Sequence, residues 1–122
     1  MRGTAISMQL WNCETDITNK PESLRSLIKE VIELTSMNAL GDVSIKKGHD
    51  QMPGLSALQM IDTSHIAIHC FSINVAYLFN IESCREFDSE KIKKHILSTL
   101  NPAAHRYRYY PLMMPVSVVT ND

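Results

Sequence analysis

The sequence predicts an α+β fold: a two-layer sandwich in which a mostly antiparallel sheet carries two helices on one face, in the condensed order β-α-β-β-α-β. Three observations lead there. Apolar residues alternate with small or polar ones at Ile6, Met8 and Leu10, and again at Val75, Tyr77, Phe79 and Ile81, the period of half-buried strands. Leu24, Leu27, Ile28, Val31 and Ile32 instead repeat at the spacing of one buried helical face. No low-complexity tract or shift in composition divides the 122 residues, so residues 1–122 are expected to form a single domain.

Each element has its own signal. A strand over Ile6–Leu10 gives way to a polar, turn-like stretch from Asn12 to Lys20. Pro21 opens the first helix, where its missing N–H costs nothing, and the helix ends near Met37 to Gly41. Val43 and Ile45 mark a short strand, and Lys46 to Gly54 a loop punctuated by Gly48, Pro53 and Gly54. Leu55–Ile61 and Ile66–Phe71 are strand segments, followed by the strand carrying Val75 to Ile81. Asp88 can cap the second helix, with Phe87 and Ile92 placed as a hydrophobic staple and Ile92, Ile96, Leu97 and Leu100 on its inner face. Pro102 follows that helix, a last strand covers His105 to Leu112, and the tail through Asp122 is expected to be loosely held. A chain of this length covers one sheet face only. The other face needs a cover, and a homodimer packing sheet against sheet is the expectation.

Composition narrows the function. Formal net charge is -1, so no bulk field recruits nucleic acid or an anionic membrane. The run His105-Arg106-Tyr107-Arg108-Tyr109-Tyr110 alternates in a way that fits a strand with a buried tyrosine face and a solvated arginine face better than a nucleic-acid platform. No apolar run is long enough to span a bilayer, and Met1 to Leu10 lacks the pattern of a secretory signal, so a cytoplasmic protein is expected. Cys13, Cys70 and Cys84 are odd in number and far apart, which argues against a disulfide framework or a paired-cysteine metal site. His65 and His69 share a strand face but stand too far apart to chelate one ion, so no metal is expected.

Taken singly, the reactive residues say little. Ser64 fits a turn, His69 a hydrogen-bonded strand position, Cys84 a small buried side chain, and Ser56 almost anything. Taken together, Gly54-Leu55-Ser56, then Ser64-His65-Ile66-Ala67-Ile68-His69, then Cys84 form a spaced set. That set resembles the small prokaryotic type of S-adenosylmethionine decarboxylase, whose members carry G-V-S, E-S-H-[IL]-x-I-H and T-C-G at the same intervals. The similarity runs from Ile6 to about Pro111.

The resemblance implies a proenzyme that makes its own cofactor. Ser64 would attack the carbonyl of Thr63, turning the amide into an ester. Loss of the serine α-proton would eliminate that ester, and hydrolysis would leave a pyruvoyl group at residue 64. His69 and Ser56 would assist processing, supplying the base and stabilisation that a hydroxyl nucleophile needs. The pyruvoyl ketone would form a Schiff base with the substrate amine and act as electron sink. Cys84 would return a proton to the α-carbon. S-adenosylmethionine is the implied small-molecule substrate, and polyamine synthesis, spermidine included, the implied context.

Departures from the pattern gather at the substrate end. Thr63 stands where the family has Glu, and Arg85 where it has Gly. The family's W-P-E reads Phe71-Ser72-Ile73, and its H-x-F reads His49-Asp50-Gln51 in a loop one residue shorter. Ile73 cannot accept a ribose hydrogen bond as the family's Glu does, which leaves Phe71 and Met52 as candidate substrate contacts. Two alternatives follow: a decarboxylase of another amino acid, such as a basic one, or an unprocessed, non-catalytic homologue serving as partner or regulator.

Overall fold

The structure is a computed structural model and describes residues 2–113. It has six strands and two helices: β1 (Arg2–Cys13), α1 (Pro21–Thr35), β2 (Ser44–Lys47), β3 (Leu55–Ile61), β4 (Ser64–Phe71), β5 (Ala76–Ser83), α2 (Ser89–Leu100) and β6 (Pro102–Met113). The strands form one sheet in the order β2-β3-β4-β5-β1-β6, with every neighbouring pair antiparallel. This is the expected α+β sandwich. Four strands separate the helices where the sequence suggested two or three, because tight turns join short segments on either side of β4.

Pairing fixes the face on which each side chain stands. Residues directly opposite in an antiparallel ladder share a face. Ile6, Met8 and Leu10 of β1, Tyr77, Phe79 and Ile81 of β5, Ile66, Ile68 and Cys70 of β4, and Leu55, Ala57 and Ile61 of β3 all point to the helices. They close one core with Leu24, Leu27, Ile28 and Val31 of α1 and Ile92, Ile96 and Leu100 of α2. The opposite face carries Ser56, Leu58, Met60, His65, His69 and Leu78, and among the described residues no second layer covers it. Leu58 is 49% exposed and Met60 60%.

Local chemistry sets the ends of the helices. Pro21 occupies the first turn of α1, and Ser36, in the left-handed region at φ 59°, stops it. Asp88 caps α2, its carboxylate accepting the N–H groups of Glu90 at 3.1 Å and Lys91 at 3.2 Å. Asn101, at φ 55°, ends the helix and donates to the Leu97 carbonyl.

Several boundaries move from their expected positions. β1 runs to Cys13, past the expected turn, because it pairs with β6 on its outer side. Ile17 and Thr18 are buried within the supposedly polar stretch, since Tyr77 reaches up to hold it. Val43 lies outside β2 and Lys46 and Lys47 inside it. Val75, at φ 44°, turns the chain before β5 instead of joining it. Ser64 begins β4; the turn is Asp62-Thr63. Pro102 opens β6, an edge strand, where a missing N–H is tolerated. The tyrosine face of β6 is only partly covered: Tyr107 is half-buried under Lys93 of α2, while Tyr109 is exposed beyond the helix. The tail from residue 114 to Asp122 lies outside the described residues.

Two positions hold the frame near the site. Gly54, at φ 140°, precedes β3, and a Cβ there would collide with the Cys70 carbonyl oxygen. The fully buried Tyr77 accepts the Ile17 N–H at 2.9 Å and donates its hydroxyl proton to the Thr15 carbonyl at 2.9 Å. Tyr77→Phe removes both partners at once. We expect it to lower unfolding free energy by about 1–3 kcal/mol, read as a lower urea midpoint at unchanged slope.

Candidate active site

The site begins with the hairpin between β3 and β4. Ile61 pairs with Ser64, so the two residues between them, Asp62 and Thr63, make the turn. β4 then lies against β5 in a register that pairs His65 with Glu82 and Phe71 with Ala76. Continued past His65, that register sets Thr63 opposite Cys84 and Asp62 opposite Arg85. The side chains meet accordingly. The Thr63 hydroxyl hydrogen-bonds the Cys84 thiol. Arg85 Nη2 stands 3.3 Å from Asp62 Oδ2.

The Thr63 contact changes the thiol. Hydrogen bonding from the Thr63 side chain and then its backbone holds Cys84 below the ordinary thiol value, and the Arg85 charge acts in the same direction. Burial pushes the other two thiols up, Cys13 to about 11 and Cys70 to about 12. Of the three, Cys84 alone is partly open to solvent.

A second pair lies at the other end of the same strands. Ser56 of β3 is directly opposite His69 of β4, and Ser56 Oγ is 2.8 Å from His69 Nδ1. With the imidazole proton on Nε2, the serine hydroxyl donates to Nδ1. Both side chains stand on the uncovered sheet face, His69 exposed.

The structure therefore brings together Thr63 and Cys84, next to Ser64 in the chain, and separately Ser56 and His69. It does not bring His69 to Ser64 within one chain. They stand five positions apart on one extended strand, roughly 17 Å at ~3.4 Å per residue. Linear spacing in the sequence carried no information on that gap.

Two hollows flank these groups. One, of about 580 Å³, is lined by Leu40, Leu58, Met60, Thr63, Ser64 and His65 and opens beside the turn. The other, of about 370 Å³, lies past His69 and is lined by Trp11, Met52, Phe71, Ile73, Asn74 and Ala76 among others. No carboxylate lines it. Phe71 and Met52 thus line one hollow. Trp11 is a lining residue that the sequence did not single out. Its signal was available: Trp11 continues the outward alternation of Ala5, Ser7 and Gln9 along β1. Asp62 was also missed, since only the register reveals its partner. Among the described residues no group of three or more His, Cys, Asp or Glu is placed to hold a metal ion, and no helix is long and apolar enough to cross a membrane.

Comparison with known proteins bears on the fold and the family. The crystal structure of the adenosylmethionine decarboxylase from Aquifex aeolicus superposes with a TM-score of 0.75, covering 88% of each chain at 16% identity, a likeness of fold. The sequence model of the S-adenosylmethionine decarboxylase family matches residues 4–111, from the start of β1 almost to the end of β6. The fold and that span together place the chain in the S-adenosylmethionine decarboxylase family.

Proposed function

We propose that this chain is a self-cleaving precursor of a pyruvoyl-dependent decarboxylase, cut between Thr63 and Ser64, with S-adenosylmethionine as substrate and polyamine synthesis as context. The observation that supports this is the contact of the Cys84 thiol with Thr63, the residue before Ser64, at the turn that opens β4. The Ser64 hydroxyl attacks the Thr63 carbonyl carbon, and the Thr63–Ser64 C–N bond breaks to give an ester. Removal of the Ser64 α-proton then breaks the Cβ–Oγ bond, Thr63 leaves as a carboxylate, and hydrolysis of the remaining enamine releases ammonia. Residue 64 fits a ketone, because it borders the hollow beside the turn and is not sealed in the core. Once formed, the pyruvoyl group supplies an electron sink for loss of carbon dioxide. Cys84 is the proton donor, held beside that position by the strand register.

Ser56 and His69 are the processing pair, the hydroxyl on Nδ1 fixing the imidazole and leaving Nε2 turned outward. They serve Ser64 from a second copy. A two-fold axis lying in the plane between the two uncovered faces, perpendicular to β4, turns the faces toward each other and reverses one β4 against the other. The His69 end of one protomer then lies over the Ser64 end of its partner. The exposed Leu58, Met60 and Leu78 gain a cover in the same step.

One observation favours a second substrate. The hollow beyond His69 offers Trp11, Met52, Phe71 and Ile73 but no carboxylate, so ribose hydroxyls have no charged acceptor there. Another α-amino acid is the alternative, and decarboxylation assays against S-adenosylmethionine and a panel of amino acids separate the two.

Three outcomes are expected. Denaturing mass spectrometry of the purified protein shows fragments ending at Thr63 and beginning at residue 64, the latter lighter than a serine terminus by one ammonia, while Ser64→Ala stays intact. A wild-type chain found whole, near 13.8 kDa, would instead make the protein an unprocessed homologue. His69→Ala slows cleavage about 10²- to 10⁴-fold, and mixing it with Ser64→Ala chains restores cleavage of the His69→Ala chain alone. In a Ser64→Ala background, iodoacetamide alkylates Cys84 before Cys13 and Cys70, with a midpoint below the ordinary 9.0, and Thr63→Val moves that midpoint upward.

A further inference from the structure

Self-attack by Ser64 needs the Thr63 carbonyl carbon held against the serine hydroxyl, and a two-residue turn does not guarantee that. On its β3 side the turn is tied by the Ile61–Ser64 pair, and the Asp62 N–H donates to the Asn38 carbonyl at 3.1 Å. On its β5 side two side-chain contacts fasten it: Thr63 to Cys84, and Asp62 Oδ2 to Arg85 Nη2 at 3.3 Å. The base from which Arg85 reaches is rigid. Its N–H donates at 2.9 Å to Ser83 Oγ, and Ser83 is buried and hydrogen-bonded onward to Met37 Sδ. An anchored backbone thus extends a guanidinium across to the residue that precedes the scissile one.

We propose that Arg85 is a positioning residue for self-cleavage, fixing the Asp62-Thr63 turn through the Asp62 carboxylate so that the Thr63 carbonyl is presented to Ser64, a role that rests on the self-cleavage proposed above. Exposure separates this role from a merely structural one. The Arg85 side chain is 54% exposed and that of Asp62 33%, so the pair adds little to global stability. Its effect is confined to the geometry of one turn.

The test is the first-order rate of cleavage of newly synthesised chain, followed by denaturing electrophoresis, beside the melting temperature of the same changes in a Ser64→Ala background. Arg85→Gln and Asp62→Asn each slow cleavage about three- to fivefold. The double variant is no slower than either single one, because both remove one contact. Exchanging the charges, Asp62→Arg with Arg85→Asp, recovers most of the rate. Melting temperature is unchanged throughout. High salt slows the wild type and leaves Arg85→Gln unaffected. A wild-type chain that cleaves while Arg85→Gln keeps pace with it overturns this role alone. A slowed rate that tracks a lowered melting temperature also overturns it. A wild-type chain that never cleaves overturns the self-cleavage itself, and this role with it.

Discussion

The register that β4 keeps against its two neighbours decides which side chains meet. Against β3 it sets Ser56 opposite His69; against β5, carried two and three residues past the ladder, it sets Thr63 opposite Cys84 and Asp62 opposite Arg85. Those are the contacts observed at 2.8 Å for the serine–histidine pair and 3.3 Å for the ion pair. A slip of one residue would turn every outward side chain of β4 into the core. The buried Ile66, Ile68 and Cys70 forbid it, because each is packed beneath α1 and α2. The hydrophobic core therefore fixes the candidate site indirectly, through the pairing it enforces. Gly54 adds to this at the start of β3, where close approach to the Cys70 carbonyl leaves no room for a side chain.

The same alternation that builds the core divides the chemistry. Inward residues of β3, β4 and β5 are mostly apolar and covered, with Gln59 and Ser83 as buried polar members; outward ones include Ser56, His65, His69 and Glu82, mixed with Leu58, Met60 and Leu78. A face of that kind is too polar to be a core and too apolar to be left in water. Its polar groups lie at the two ends of β4, about a strand length apart. A two-fold relation between copies is the simplest operation that brings opposite ends of one strand together, so the proposed processing by a second copy and a cover for this face call for the same arrangement.

Much of the fold was legible because its signals are periodic. The α1 face from Leu24 to Ile32, the α2 cap and staple around Asp88, and the alternation through Tyr77, Phe79 and Ile81 all survive in the structure. What failed were boundaries set by tertiary contacts. Cys13 is in a strand because β6 lies beside it, and Ile17 is buried because the Tyr77 hydroxyl lies sixty residues away in sequence and 2.9 Å away in space. The candidate residues were legible as a spaced set, but spacing along a chain does not state distance. Ser64 and His69 are close in sequence and far apart on an extended strand, while Thr63 and Cys84 are far apart in sequence and in contact. Asp62 and Trp11 escaped notice because each is ordinary until its neighbour is known.

The two ends of β4 also differ in how freely they can change. At the Ser64 end the groups directly adjoin paired strands, so a substitution there acts on contacts whose placement follows from the register. At the Phe71 end strands supply Trp11, Phe71 and Ala76, but the rest of the lining comes from loops: Gln51, Met52 and Pro53 from one, Ile73 and Asn74 from another, tied together by Ser72 donating to the Pro53 carbonyl. Loop residues can be exchanged without moving the ladder. A chain can thus keep the bond-making geometry at one end of a strand while remaking the ligand hollow at the other. The contrast between Cys84 fixed beside Thr63 and Ile73 standing exposed at the mouth of the distal hollow is the form that such a separation takes.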